Sequence, residues 1–390
     1  MGIPVGIVSE SAPGERRVAM VPGAVPVLAK SGVEFLMESG AGRNAGYPDA
    51  EYVEKGVRVA SRQDVMGAAE VILQVRSPGA NPETGRQDVA QFRRGQTVIG
   101  FGEPLTAIDA AAALAERGVN FLAMELMPRI TRAQSMDALS SMATISGYKA
   151  VVLAADSLPR MFPMLMTAAG TVAPARVLVI GAGVAGLQAI ATARRLGALV
   201  SGYDIRPAVK EQIESLGARF VVLDIENAAA EDKGGYAKAM GEDFYRRQRE
   251  LLAAVLAEQH VVITTAAVPG KKAPILITRE MVSRMAEGSL IVDIAAERGG
   301  NCELTEPGSV VEVDGVRILG PVNLPSTIPY HASQMYAKNI ATFVKHLIQN
   351  GRITLNREDE IVRETLVTEG GEVVHPRVRE LMGLPTLQTV

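Results

Sequence analysis

The chain has 390 residues, 40 basic and 43 acidic, for a formal net charge of −3, with a single cysteine and four histidines. That length holds two domains with separate cores, and the balanced, scattered charge leaves no nucleic-acid footprint. Cys302 alone excludes an internal disulfide and fits a reducing, cytoplasmic compartment, and the histidines have no metal-ligand spacing.

The start, Met1 to Gly6, has neither the basic-then-apolar pattern of a signal peptide nor the Ser or Thr that myristoylation needs. No run approaches the roughly 20 uninterrupted apolar residues of a membrane helix, so no direct membrane span is expected.

Residues 1 to about 125 alternate short apolar runs with helical stretches. Strands are predicted around Val5 to Val8, Val33 to Met37, Val71 to Val75, Thr97 to Gly100 and Val119 to Ala123, with a helix from Ile108 to Arg117 closed by Gly118. Such alternation predicts a mainly parallel sheet with helices on both faces. From Leu126 to Asp137 the chain is a polar loop broken by Pro128, and from Leu139 to Ala155 it reads as a long helix. A polar loop feeding a long helix marks a crossing between domains, where binding clefts form.

Next comes the most informative stretch. Arg176 to Ile180 is an apolar strand that runs into Gly181-Ala182-Gly183-Val184-Ala185-Gly186, the G-x-G-x-x-G spacing of a dinucleotide turn. Gly181 permits the tight turn, Gly183 lets the backbone approach a pyrophosphate, and Gly186 lets helix pack on strand, while Val184 and Ala185 open the helix whose positive end receives the phosphates. A second strand, Leu199 to Tyr203, leads to Asp204, Ile205 and Arg206. A carboxylate at Asp204 suits a ribose diol and repels a 2′-phosphate, which favours NAD over NADP; Arg206 could pair with such a phosphate.

The alternation continues with a helix from Ala208 to Leu216 and a strand from Arg219 to Val222, then breaks in a glycine-bearing, charged stretch from Glu226 to Gly241. It resumes with a helix from Asp243 to Glu258, a strand at Val261 to Thr265, a helix capped by Thr278 and running to Gly288, a buried strand at Leu290 to Ile294, and a hairpin turning at Asp314-Gly315. A long helix from about Gln334 to Gln349 returns the chain to the first domain, and the last forty residues read as an extended segment with a short strand. The predicted fold is α/β: two Rossmann-like domains, each a mainly parallel sheet with helices on both faces, joined by long helices. The first is 1–138 completed by 330–390, and the second 139–329.

Several segments together resemble a known family. They are Arg129-Ile130-Thr131-Arg132-Ala133-Gln134-Ser135-Met136-Asp137, the glycine turn, Thr264-Thr265-Ala266, Pro269-Gly270-Lys271-Lys272-Ala273-Pro274 and Gly299-Gly300-Asn301-Cys302. Over almost the whole chain the likeness is to the NAD(H)-binding alpha subunit of proton-translocating nicotinamide nucleotide transhydrogenase. It implies a Re/Si-specific hydride transfer between NADH and NADP+, with NADP(H) held on a beta subunit, a separate membrane-spanning subunit that carries the proton step, a homodimer, and a place at the inner face of the cell membrane through those partners. Because Val390 ends the chain before any apolar span, a split-subunit organisation is expected.

The resemblance also implies residue roles. Gln134 would reach the nicotinamide ribose and the partner's nucleotide, Arg129 and Asp137 would pair to hold the loop, and Ser140 would bond the carboxamide. Tyr236 and Met240 would belong to a loop that closes over bound nucleotide, and Thr265, Ala266 and Val268 to the strand end beside it.

Alanine dehydrogenase shares the two-domain fold and is the rival reading; an NAD-binding regulatory module without chemistry is another. The dehydrogenase needs a histidine as acid–base, with a lysine and an arginine holding the substrate carboxylate. Arg17 stands where that arginine would be. The lysine segment instead reads Gln74-Val75-Arg76, and the histidine segment, Ile99 to Pro104, contains no histidine.

Overall fold

The computed structural model describes residues 2–223, 241–267 and 270–387. The chain divides into two units, Met1–Met142 with Pro325–Val390, and Ala143–Leu324. The first division falls inside the helix Ala138–Ser157 and the second in the turn Leu324–Thr327.

Strands are numbered in chain order through both units. The first unit holds β1 (Ile3–Ile7), β2 (Val33–Glu38), β3 (Arg58–Ala60), β4 (Val71–Arg76), β5 (Thr97–Phe101) and β6 (Asn120–Ala123). The second holds β7 (Leu165–Thr167), β8 (Gly170–Val172), β9 (Arg176–Ile180), β10 (Leu199–Tyr203), β11 (Arg219–Phe220), β12 (Val261–Thr264), β13 (Leu290–Asp293), β14 (Val310–Val313) and β15 (Val316–Leu319). The chain then returns to the first unit with β16 (Ile348–Gln349), β17 (Arg352–Ile353), β18 (Leu366–Glu369) and β19 (Glu372–Val373).

In the first unit the sheet order is β19-β18-β6-β5-β4-β1-β2-β3. From β6 to β3 every pairing is parallel, and the last two strands in chain order, β18 and β19, add on antiparallel beyond β6. Strand β3 is absent from the sequence prediction because Arg58-Val59-Ala60 is too short and too polar to register as an apolar run. The helix Pro329–Leu347 belongs to this unit and pins the segment after β1 and the strand β4. Ser333 Oγ accepts from Val18 N at 3.0 Å, and the Tyr336 hydroxyl donates to the Gln74 carbonyl at 2.8 Å.

In the second unit the order is β11-β10-β9-β12-β13-β15-β14, parallel apart from the β14–β15 hairpin. Its central strands β9, β12 and β13 are apolar except at one end of each, at Arg176, Thr264 and Asp293, because both faces are covered. Val177 and Val179 of β9 pack with Ile190 and Ile213 in one core, and Leu178 and Ile180 with Leu252 and Ile277 in the other. The alternation of a strand thus splits one apolar run between two cores.

Among the described residues one helix, Ala138–Ser157, is long and apolar enough by length and composition to cross a membrane, with a mean hydropathy of 1.3 over its most apolar stretch. Its Ser, Thr and Gly residues, with Lys149 and Asp156, interrupt the apolar run that the sequence reading asked for. Ala150, Val151 and Ala154 of this helix lie in the core of the second unit.

Candidate functional site

The glycine turn forms as its spacing predicts. Gly181 sits at φ +95°, a conformation that disfavours any side chain, directly after β9. A Cβ on Gly186 would stand 1.8 Å from the Gly181 carbonyl oxygen, so only glycine lets the helix Val184–Arg195 start there. Gly147 plays the same part on the neighbouring helix, where a Cβ would meet the Ala185 carbonyl at 2.1 Å; the sequence reading did not single it out.

Gly183 differs. It is the N-cap, it has ordinary negative φ, and a Cβ there would meet nothing within 4 Å. The open space over Gly183 is the cradle that a pyrophosphate needs. No side chain caps this helix, so its first N–H groups and its positive dipole end face that space. The residues therefore fit a dinucleotide.

At the end of β10 the Asp204 carboxylate is buried and holds the turn from the side. Its Oδ2 accepts from Ala182 N at 2.7 Å, and its Oδ1 from Arg206 N at 2.8 Å. The Arg206 guanidinium adds two more bonds to the same carboxylate, Nε to Oδ1 and Nη2 to Oδ2, both at 2.9 Å. Arg206 is thus committed to Asp204 rather than presented to a 2′-phosphate. Ile205 between them is half-buried and packs on the core, and Tyr203 is a buried packing residue whose hydroxyl accepts from Gln248 Nε2 at 2.9 Å.

The sheet reverses its order between β9 and β12, and ligands bind outside the strand ends at such a point. Thr265, just after β12, donates its hydroxyl to the Gly181 carbonyl at 2.9 Å and so ties the two strand ends together. Ala266 is fixed by Asn301, whose side chain accepts from Ala266 N at 3.0 Å and donates to Ala266 O at 2.8 Å and Pro274 O at 2.9 Å. Sequence reasoning missed this use of Asn301. The segment Gly299-Gly300-Asn301-Cys302 carried the resemblance but gave Asn301 no role; Gly299 and Gly300 before it both lie at positive φ.

Asp293 supports that clasp. Its two oxygens accept from Thr264 Oγ1, Ala295 N, Asn301 N, Cys302 N and Thr305 Oγ1 at 2.7 to 3.1 Å. Burial pushes the Cys302 thiol up to about 11, so it stays protonated at neutral pH and is no nucleophile. Tyr236, Met240 and Val268, expected beside the nucleotide, lie outside the described residues.

The loop expected to meet the nicotinamide is in the first unit. Its single 3-10 turn, Thr131–Met136, buries Ala133 and Met136 and leaves Gln134 exposed; Arg129 is exposed as well. Asp137 opens the following helix: Oδ1 accepts from Ser140 N at 2.9 Å and Oδ2 from Ser140 Oγ at 2.6 Å. Asp137 and Ser140 are therefore bonded to each other.

The first unit has its own reversal of strand order, between β1 and β4, and its own side chains bond to the strand end there. Glu10 accepts from Val75 N at 2.6 Å and Arg76 N at 2.9 Å. Burial, followed by the nearby Glu15 charge, pushes Glu10 up to about 8. The Arg17 guanidinium is met twice by Glu15, Nε to Oε1 at 2.7 Å and Nη2 to Oε2 at 2.6 Å. Burial, then the Glu103 charge, pushes Glu125 up to about 7, although its Oε1 accepts from Gly102 N and Glu103 N. Ile99, Gly100, Phe101 and Gly102 bring no histidine to this crevice.

Comparison with known proteins also divides the chain near residue 150, but the second match runs past Leu324 into the segment that belongs to the first unit. Residues 6–146 match the N-terminal domain, and 150–376 the C-terminal domain, of the alanine dehydrogenase/PNT family. The first part of NAD(P) transhydrogenase subunit alpha from Rhodospirillum rubrum is 47% identical over 376 residues, covering 95% of this chain and 98% of that one. The crystal structure of a transhydrogenase from Sinorhizobium meliloti superposes with a TM-score of 0.83 at 46% identity, covering 96% of this chain and 99% of the other. An L-alanine dehydrogenase structure superposes with a TM-score of 0.81 at 25% identity, covering 98% and 99%.

Proposed function

The chain belongs to the alanine dehydrogenase/PNT family, and from that premise we propose that it is the NAD(H)-binding component of a proton-translocating transhydrogenase. In this reading it exchanges hydride between NADH and NADP+ held on a partner polypeptide. The observation that carries the reading is a contrast between the two switch points. The one after β9 offers open space over Gly183, whereas at the one in the first unit Glu10 takes the N–H groups of Val75 and Arg76 and Glu15 takes the Arg17 guanidinium.

Bound nicotinamide supplies the hydride. The protein's part is to hold it: the first turn of Val184–Arg195 takes the phosphates, Asp204 the ribose, and the Thr265–Ala266 strand end flanks the ring. Transfer between two nicotinamides exchanges no proton at the reacting carbons, so orientation and exclusion of water suffice, and a missing acid–base is expected. Gln134 would contact both nucleotides, with Arg129, Asp137 and Ser140 shaping its loop. The finer features follow the same reading: Re/Si specificity, an NADP(H)-binding beta subunit, a membrane-spanning subunit that moves the proton, and attachment at the inner face of the cell membrane through them. A homodimer is supported by the β7–β8 hairpin, whose Met164, Leu165, Met166 and Val172 are all exposed on this chain.

The test is hydride exchange from NADH to an NAD+ analogue, followed by absorbance, with and without a separately made NADP(H)-binding component. Exchange only with that component and NADP(H) supports the proposal, and Gln134→Ala should then slow it about 10- to 100-fold while NADH binding persists. The shared fold favours one second reading, an amino-acid dehydrogenase of the alanine dehydrogenase type; reduction of NAD+ on adding alanine alone would establish it. Tight NADH binding with neither reaction would indicate a regulatory module.

A further inference from the structure

The Thr131–Met136 turn does little to fix its own shape. Its N-cap, Ile130, has no side-chain bond, and its closing bond, Asp137 N to Gln134 O, is long at 3.4 Å. Support comes from outside. Asn339, on the helix Pro329–Leu347 and only 7% exposed, donates Nδ2 to the Ser135 carbonyl at 2.9 Å. Arg132 forks onto Asp359 at 2.7 and 3.2 Å, and Asp359 also receives His346 Nε2 at 2.8 Å and caps the helix Glu360–Thr365 through Ile361 N at 2.9 Å.

We propose that Asn339 is a positioning residue for hydride transfer, setting the peptide next to Gln134 by its bond to the Ser135 carbonyl, with Asp359 as a weaker second brace on Arg132. The inference rests on the transhydrogenase reading and adds to it the element that aims the loop. The two braces rank by environment. Arg132 is half exposed, and exposed ion pairs contribute little. The Asn339 bond is sheltered, and its loss leaves the Ser135 carbonyl without that donor. A shift of about 1 Å in a positioning group costs about 100-fold in rate. Asn339 also borders an open groove of about 670 Å³ shared with Val21, Ala24, Ser135, Gln334 and Lys338, so a substitution there does not overfill the core.

The test compares wild type, Asn339→Asp, Asn339→Gln and Asp359→Asn in the full chain. Three quantities are read: NADH affinity of the chain alone, kcat and KM with the NADP(H)-binding component, and backbone hydrogen exchange over 131–137. Asn339→Asp keeps the shape of the side chain and removes the donor. It should leave NADH affinity and KM within about twofold, lower kcat about 10- to 100-fold and speed exchange in the loop alone. Asn339→Gln should recover part of kcat, and Asp359→Asn should lower it less than Asn339→Asp does. An unchanged kcat, or a loss matched by faster exchange throughout the first unit, would overturn the proposal. A wild type that binds NADH but transfers no hydride with the partner would remove the transhydrogenase reading and this inference with it.

Discussion

Arg206 forks onto Asp204, with Nε 2.9 Å from Oδ1 and Nη2 2.9 Å from Oδ2, two residues apart at the end of β10. In the proposed reading the pair decides which nucleotide the turn accepts, because an arginine held this way is not presented to a 2′-phosphate. Asp204→Ala should weaken NADH binding about 10-fold or more, as expected for a lost charged hydrogen bond, and raise NADPH binding relative to NADH by releasing Arg206. Titrations following the fluorescence of each reduced nucleotide check both; an unchanged NADPH-to-NADH ratio would mean that Arg206 is not what discriminates.

Two glycines of the turn should fail in opposite ways. Gly183→Ala places a methyl in open space on an unstrained backbone, so stability should stay within about 0.5 kcal/mol of wild type while NADH binding is lost. Gly186→Ala drives a methyl against the Gly181 carbonyl and should destabilise by about 1–3 kcal/mol or more. Thermal unfolding beside NADH titration separates the two.

Glu10 gives a pH signature. Its carboxyl is raised from 4.5 to about 8 in the folded chain, chiefly by burial. The folded state therefore holds this proton more tightly, and the stability it confers is full below the unfolded value and lost as pH rises through the folded one. Between about pH 4.5 and 8 this one group contributes a downward slope of up to about 1.4 kcal/mol per pH unit. Glu10→Gln should flatten the profile across that window, as denaturant unfolding at stepped pH would reveal. A parallel profile would show that Glu10 ionises normally.

The β7–β8 hairpin should govern association. Met166 is 77% exposed, and Asp in its place costs this chain no packing. Met166→Asp should shift the sedimentation of a dimer toward monomer without lowering NADH affinity. Unaltered mass would place the contact elsewhere.

The legible parts of the fold were those where one local signal sufficed. Buried parallel strands such as Arg176–Ile180 and Leu199–Tyr203 announce themselves as apolar runs, and Asp314-Gly315, both at positive φ, dictates its hairpin. Elsewhere tertiary structure overrode the pattern. The helix capped by Thr278 is only Arg279–Val282, because the chain from Ser283 to Ser289 turns toward β13 instead of extending it. The helices Glu360–Thr365 and Pro376–Leu381 were read as extended, since their Val-Val and Leu-Val neighbours favour strands and only an Asp359 cap and a Pro376 start favour helix. The β7–β8 hairpin carried no apolar alternation to find. In the candidate site, the glycines and Asp204 could be read because their spacing is their chemistry. Asn339 could not, because its partner lies 204 residues away in sequence and an asparagine on a helix has no pattern of its own.

The antiparallel addition of β18 and β19 beyond β6 sets an order of events during synthesis. By the time residue 324 has left the ribosome, every strand of the second unit has been made, and that unit can close. The first unit, although begun earlier, then still lacks β18. The N–H and C=O groups of β6 that will pair with Leu366 and Thr368 stand open meanwhile, with the apolar Phe121, Leu122 and Ala123 beside them. The oldest part of the nascent chain is thus the last to be sealed, and its exposed strand edge is where a stalled or shortened chain would aggregate.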